Sequence, residues 1–122
     1  MKSATVISIV DDDATVRDGI ADLIISLGYA VHTFESAEEF LDSTCLKNTA
    51  CLITDLHLPG LNGIDLLDRL RIAGHRIPMI VITGFPTAQT RTRALAAGAI
   101  AVFAKPFEAA ILVNSLESAL RA

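Results

Sequence analysis

The chain is poor in the features that mark nucleic-acid-binding and membrane-spanning proteins. Its 122 residues carry a net charge of −4 and contain no run of lysine or arginine, whereas nucleic-acid-binding domains usually present a basic face. No apolar stretch approaches the roughly 20 residues that a membrane-spanning helix needs. We therefore expect no direct nucleic-acid binding by this segment and no membrane association.

Cysteine and histidine are too few and too scattered to suggest a zinc or redox site. Cys45 and Cys51 form no recognised metal or redox spacing. The three histidines show no helical i,i+4 pairing; they are His32, His57 and His75. Residues 1–3 lead into a strand-like run without the apolar core of a signal peptide. These observations predict two free thiols in a reducing cytoplasm.

The composition is that of one compact globular domain, because hydrophobic residues make up 52% of the chain and charged residues 20%. We place that domain at residues 1–122. Short apolar runs alternate with segments of helical period, a pattern typical of βαβ units and a parallel sheet. The pattern predicts five helices and five strands, the strands near residues 5–10, 30–34, 50–54, 78–82 and 100–104. Right-handed crossovers favour a doubly wound sheet, for which 2-1-3-4-5 is a common strand order.

Several helix ends can also be predicted. Gly28 stands where a left-handed C-terminal cap belongs. Ser36 is a predicted N-cap, with Glu39 at the capping-box position. The fourth helix, near residues 87–97, contains Leu95 as its only large apolar residue. Its apolar face is therefore thin, and we expect this helix to move at low cost.

Five polar residues each follow a predicted strand, and they are Asp11, Asp12, Asp55, Thr83 and Lys105. Residues at the carboxyl ends of parallel strands converge on one crevice, where ligands bind. Three carboxylates in such a place repel one another. A bound Mg²⁺ removes the repulsion, because this ion prefers oxygen ligands. The shared placement predicts a site for a divalent cation and a phosphoryl group.

Each of these residues also has an ordinary structural interpretation. The acidic run 11–13 could cap the first helix, although one aspartate is enough for a cap. Asp55 could be a nucleophilic carboxylate or the first residue of an Asx-turn. Lys105 could pair with Asp55 or be a solvated surface lysine. Thr83 could donate to an anion or be a β-favouring residue before a turn. Their common position at strand ends favours the functional interpretation.

The motifs at these positions resemble the receiver domain of two-component response regulators, and more narrowly receivers of the FixJ type. The resemblance covers essentially the whole chain and is carried by residues 9–13 with 16–17, 55–63, 83–84 and 105–107. Its most specific part is the spacing of Asp55, Pro59 and Gly63, taken together with the pair Lys105-Pro106. The fold that the resemblance implies is the flavodoxin-like receiver fold.

The resemblance implies a phosphorylation-activated switch that assists its own phosphorylation and dephosphorylation, not an enzyme. Asp55 would accept a phosphoryl group from a phosphohistidine of a sensor histidine kinase. Mg²⁺, with Mn²⁺ as a possible substitute, would be held by Asp11, Asp12, Asp55 and the main-chain carbonyl of His57. Chemistry of this kind depends mainly on positioning and charge neutralisation.

The resemblance also assigns the remaining site residues. Thr83 and Lys105 would bind phosphoryl oxygens, and the Lys105-Pro106 peptide would be cis. Asp13 would be a helix-capping group or a support for the ligands, not a ligand itself. Receivers often have Tyr or Phe three residues before the lysine, whereas this chain has Val102. The aromatic switch is therefore absent here or carried by another residue.

The output implied by the resemblance is control of transcription through a fused DNA-binding domain outside this chain. The surface that changes would be formed by the fourth helix, the fifth strand and the fifth helix. We hypothesise a phosphorylation-dependent homodimer through that surface, in a cytoplasmic protein.

Two alternatives remain open at this point. Residues 11–16 fit the D-x-D-x-T-V motif of haloacid-dehalogenase-type phosphatases, in which Asp11 would be the nucleophile and Asp13 the acid/base. Those enzymes are usually longer and need an acidic cluster after the lysine, where this chain has only Glu108 and Glu117. The other alternative is a non-phosphorylated interaction module on the same fold. It is disfavoured because all five expected site residues are present.

Overall fold

A computed structural model describes residues 5–121 of the chain. All strands belong to one parallel sheet in the order β2-β1-β3-β4-β5. The strands are β1 (Val6–Val10), β2 (Ala30–Phe34), β3 (Thr49–Asp55), β4 (Met79–Thr83) and β5 (Ala101–Ala104). The predicted strand order is confirmed, and the strand bounds differ from the prediction by one residue or so.

The five predicted helices are all present. They are α1 (Ala14–Ser26), α2 (Ala37–Leu41), α3 (Gly63–Ile72), α4 (Ala88–Ala96) and α5 (Ala109–Arg121). A short 3₁₀ helix, Thr44–Asn48, precedes β3 and was not predicted. None of the helices in residues 5–121 combines the length and apolarity needed to cross a membrane.

Helices cover both faces of the sheet, so its central strands are buried on both sides. One cluster of buried side chains joins the sheet to α2, α3 and α4, with Phe40 and Leu67 among its members. The other cluster joins it to α1 and α5, with Ile24 and Leu112 among its members. This double burial explains the near-continuous apolar runs of β3 and β4, and it leaves the strand ends as the place for polar groups.

The glycine cap after α1 and the serine N-cap of α2 that the sequence predicts are both present. Gly28 has φ of 96° after α1, a conformation that glycine adopts without a steric cost. Ser36 Oγ accepts a hydrogen bond from the main-chain N–H of Glu39 at 3.1 Å. Cys45 and Cys51 are both free thiols, as predicted.

The fourth helix, α4, is held to the sheet by few apolar contacts. Ala94 is its one buried residue, while Leu95 is 43% exposed. The thin apolar face is therefore confirmed, but Leu95 does not anchor it. Two hydrogen bonds supplement the packing, from Arg91 Nη1 to the Val102 carbonyl at 3.1 Å and from Arg71 Nη1 to the Ala96 carbonyl at 3.0 Å.

Candidate functional site

The strand ends place the predicted residues at one edge of the sheet. Asp11 directly follows β1, Asp55 ends β3, and Thr83 ends β4. Lys105 directly follows β5, and its ammonium bridges two of the other residues. Lys105 Nζ lies 3.1 Å from Asp11 Oδ2 and 3.1 Å from Asp55 Oδ2. The predicted pairing of Lys105 with Asp55 is present, and Asp11 shares the same cation.

Three carboxylates form the centre of the site. One oxygen each from Asp11, Asp12 and Asp55 can be chosen so that all three atoms lie within 4.8 Å of one another. Asp11 is 1% exposed and Asp55 7% exposed, whereas Asp12 is exposed to solvent. Two of the three carboxylates are therefore buried, and the cluster meets solvent at Asp12.

Main-chain donors fix the two buried carboxylates. Asp11 Oδ1 accepts from the N–H of Asp13 at 2.9 Å. Asp55 Oδ1 accepts from the N–H of His57 at 3.2 Å. Each carboxylate therefore uses one oxygen for the backbone and the other for Lys105. This arrangement holds both groups in defined directions before any ligand binds.

The burial and the charges of the site shift the pKa values of two groups. Burial raises the pKa of Asp11, and the nearby charge of Asp55 adds to this effect, so that the bonds from Asp13 and Lys105 do not offset it. Burial by itself lowers the pKa of Lys105, but hydrogen bonds and attraction from Asp11 and Asp55 outweigh burial and raise it. The ammonium is thus held firmly in its charged form.

The donor set fits a small divalent cation. Three carboxylates and one ammonium carry a combined charge of about −2 when all are ionised, which a divalent ion balances. All three candidate donors are oxygen atoms, the ligand type that Mg²⁺ prefers. The acidic cluster can therefore hold a metal ion.

Thr83 lies at the same edge of the sheet, but its hydrogen bonds go to main-chain N–H groups and not to the carboxylates. It is fully buried, and its Oγ1 accepts a hydrogen bond from the N–H of Phe85 at 3.0 Å. Its main-chain carbonyl accepts from the N–H of Lys105 at 2.8 Å. Thr83 therefore connects the lysine segment with the loop that leads to α4, and its hydroxyl proton remains available for an acceptor.

Asp13 and the Lys105-Pro106 peptide match their predicted structures. Asp13 is the N-cap of α1, and its side chain accepts from the N–H groups of Thr15 and Val16. Its carboxylate is directed at the helix and is not part of the three-carboxylate cluster. The Lys105-Pro106 peptide is cis.

Two features near the site were not predicted from the sequence. The rings of His57 and Phe85 meet edge to face, with centroids 5.5 Å apart and an interplanar angle of 82°. They lie 28 positions apart, so only the adjacency of β3 and β4 brings them together. The guanidinium of Arg17 donates a hydrogen bond to the Asp11 carbonyl at 2.8 Å. Nothing in the acidic run 11–13 indicated this contact.

Comparison with known proteins identifies the class to which this fold and site belong. The family model described as the response regulator receiver domain matches residues 7–117. The chain therefore belongs to the response regulator receiver family, the signalling domain of two-component systems.

Within that family the chain is of the FixJ type. It is 36% identical over 115 residues to the transcriptional regulatory protein FixJ of Bradyrhizobium diazoefficiens, covering 94% of this chain and 56% of that protein. It is 36% identical over 118 residues to the response regulator protein TodT of Pseudomonas putida strain F1, covering 97% of this chain and 52% of that protein. The chain thus spans about half the length of these curated relatives.

Solved structures agree with this placement. The crystal structure of FixJ-N matches with a TM-score of 0.85 at 34% identity, covering 96% of this chain and 94% of that one. The prediction of a FixJ-type receiver fold is therefore confirmed by sequence and by structure.

Proposed function

We propose that this domain is a phosphorylation-activated switch in which Asp55 accepts a phosphoryl group from a phosphohistidine of a sensor histidine kinase. The observation that carries the proposal is the position of the Asp55 carboxylate, 3.1 Å from Lys105 Nζ and within 4.8 Å of oxygens from Asp11 and Asp12. Membership of the receiver family supports the same assignment.

In the proposed reaction a carboxylate oxygen of Asp55 attacks the phosphorus atom. The new bond is an acyl phosphate, and the bond between phosphorus and the histidine nitrogen breaks, so its electron pair stays on the imidazole. Lys105 binds a phosphoryl oxygen and neutralises part of its charge, and the Thr83 hydroxyl donates to another. Asp55 is also slightly more accessible than Asp11, since its side chain is 8% exposed and that of Asp11 2%.

Asp11, Asp12, Asp55 and the main-chain carbonyl of His57 would hold Mg²⁺, or Mn²⁺ as a substitute, and the ion when bound neutralises charge on the transferring group. Asp11 and Asp55 are already held by main-chain N–H groups. Because these oxygens are already held in position, less entropy is lost when the reacting groups are brought together.

A groove beside the site supports a protein as the phosphoryl donor. It lies between α1 and the segment after β5, and it is lined mainly by apolar groups, including Val16, Ile20, Pro106 and Phe107. Lys105 also lines it, so an occupant of the groove would lie next to the acceptor. A donor that docks there would bury apolar surface close to its phosphohistidine.

The phosphorylated state would act through α4, β5 and α5. A phosphoryl group on Asp55 gives Thr83 and Lys105 a new anion to bind, which favours one of two conformations. The expected result is a phosphorylation-dependent homodimer in a cytoplasmic protein. Control of transcription would follow through a DNA-binding domain outside these 122 residues; the similarity of the chain to the transcriptional regulatory protein FixJ supports an output of this kind.

The central experiment is Mg²⁺-dependent phosphorylation by acetyl phosphate, read as the mass increase of the intact protein. The wild type is compared with Asp55→Asn and Asp11→Asn. Loss of the modification in Asp55→Asn is expected. Retention of it in Asp55→Asn, with loss only in Asp11→Asn, would instead indicate the phosphatase mechanism with Asp11 as nucleophile and Asp13 as acid/base.

Dimerisation is tested by sizing the domain with and without beryllofluoride, a phosphoryl mimic. An unchanged monomer in the presence of the mimic would overturn the dimer hypothesis and leave the phosphoacceptor assignment intact.

A further inference from the structure

Arg17 is a largely buried cation whose ion pair in the described residues is weak. Its side chain is 13% exposed, so most of the guanidinium stem and head is shielded from water. Its contact with Glu35 is loose, at 3.9 Å, and the Glu35 side chain is 73% exposed. Exposed ion pairs of this kind contribute little to stability. Arg17 also makes a second, shorter contact, in which its Nη1 donates a hydrogen bond to the Asp11 carbonyl at 2.8 Å.

That carbonyl belongs to the peptide unit that joins Asp11 to Asp12. Because a peptide unit is planar, a fixed carbonyl fixes the orientation of the whole unit. The other end of Asp11 is held as well, since its N–H donates to the Phe34 carbonyl at 3.1 Å. The direction in which the chain enters Asp12 is therefore set by Arg17 together with the β2 edge.

Asp12 needs such support more than its neighbours do. Asp11 and Asp55 each have their carboxylates held by a main-chain N–H and by Lys105. The Asp12 carboxylate takes part in none of the hydrogen bonds or ion pairs found in residues 5–121. Its place within 4.8 Å of the other two carboxylates therefore depends on its backbone.

We propose that Arg17 is a positioning residue for the metal site, which aims the Asp12 carboxylate at the cation by holding the Asp11–Asp12 peptide. The inference rests on the proposed function, in which Asp12 is a metal ligand. The sign of the change in Mg²⁺ affinity distinguishes this role from a purely electrostatic one. A positive charge near the site by itself weakens cation binding, so a purely electrostatic role predicts tighter Mg²⁺ binding when Arg17 is neutralised. Positioning predicts weaker binding.

The test is a Mg²⁺ titration of the unphosphorylated protein, followed by backbone amide NMR shifts. We expect Arg17→Gln to raise the Kd for Mg²⁺ by about tenfold, at the lower end of what the loss of an outer support of a metal ligand costs. Arg69→Gln is the matched control, because Arg69 lies on α3 and its exposed side chain makes no hydrogen bond or ion pair in the described residues. It removes the same charge and is expected to leave the Kd unchanged. Glu35→Gln is likewise expected to have no effect.

Each outcome decides the matter. An unchanged or lower Kd in Arg17→Gln overturns the proposal, and so does an equal rise in Glu35→Gln, which would assign the effect to the ion pair. If Arg17→Gln does not fold, Arg17→Lys keeps the charge but not the reach of the guanidinium, and the same comparison applies. Failure of the wild type itself to bind Mg²⁺ would overturn the metal site and this inference together. If the wild type binds Mg²⁺ and Arg17→Gln binds it with the same Kd, only the role of Arg17 is overturned.

Discussion

Replacing Gly63 by alanine is expected to destabilise the domain and to displace the main chain of Asp55. Gly63 is the first residue of α3, and its N–H donates to the Leu56 carbonyl at 2.8 Å. A Cβ at this position would lie 2.6 Å from the main-chain oxygen of Asp55 and 2.9 Å from the Cα of Leu56. Ordinary contacts of a Cβ begin at 3.4 Å. Because both obstacles are backbone atoms, no side-chain rotation can relieve the overlap.

The expected cost follows from that geometry. The helix start or the end of β3 must move by about 0.8 Å, the difference between 2.6 and 3.4 Å, and forced shifts of this kind in packed regions cost about 1–3 kcal/mol. With a slope of about 2 kcal/mol per molar urea, the unfolding midpoint falls by roughly 0.5–1.5 M. The movement also displaces the Asp55 carboxylate, so phosphorylation of this variant by acetyl phosphate should be slower.

Gly19 offers the same substitution with the opposite expected sign. It lies inside α1, and a Cβ there would meet no heavy atom within 4 Å. Alanine in a helix interior is favoured over glycine by about 0.5–1 kcal/mol, so Gly19→Ala should raise the urea midpoint. Unfolding is followed by circular dichroism, since the chain has no tryptophan. A Gly63→Ala protein as stable as the wild type would refute the close approach of α3 to the Asp55 backbone.

Two further substitutions and one alkylation experiment test other parts of the structure. Lys105→Met leaves two buried carboxylates without their cation and should cost about 3–5 kcal/mol at pH 7; urea unfolding should show the loss shrinking as the pH is lowered, when one carboxyl group binds a proton. Burial raises the pKa of the Cys51 thiol to about 12. The stability that the protonated thiol contributes is therefore complete below its ordinary pKa of 9.0 and is lost as the pH rises toward the pKa of the folded protein. An alkylating reagent at pH 8 should accordingly modify Cys45 in the native protein and Cys51 only in urea. Asn62→Ala removes the capping box of α3, in which Asn62 Oδ1 accepts from the Asp65 N–H at 2.9 Å, and should cost about 1 kcal/mol; an unfolding midpoint equal to that of the wild type would contradict the cap.

The sheet order and the strand-end cluster could be predicted because both follow from short-range patterns. Apolar runs that alternate with helical segments require parallel strands, and parallel strands bring their carboxyl ends to one edge. Asp11 and Asp55 therefore had to be neighbours once each was assigned to the end of one of two adjacent strands. Lys105 follows β5, which β4 separates from β3, so its 3.1 Å bonds to both carboxylates depend on the reach of its long side chain as well as on the topology.

The features that were missed depend on contacts between distant segments. Leu95 is the only large apolar residue of the α4 segment, yet the structure buries the small Ala94 and leaves Leu95 partly exposed. A helix with one large apolar residue has no periodic stripe to fix its rotation, so the tertiary fit of a small residue against the sheet decides it. The reach of Arg17 to the Asp11 carbonyl is similar, because no spacing rule connects a guanidinium with a main-chain oxygen six residues earlier.

The absence of an aromatic residue at position 102 changes how the site can communicate with α4. Val102 is buried, and its carbonyl accepts the hydrogen bond from Arg91 in α4. On the other side, Thr83 Oγ1 holds the N–H of Phe85 at the start of the loop that leads to α4. Both connections are hydrogen bonds, each with a net contribution of about 0.5–1.5 kcal/mol. A helix with one buried alanine and such bonds can be displaced by a few kcal/mol, which is within the range that charge-assisted bonds from Thr83 and Lys105 to a phosphoryl group can supply. A switch at this site therefore does not require the rotation of an aromatic ring.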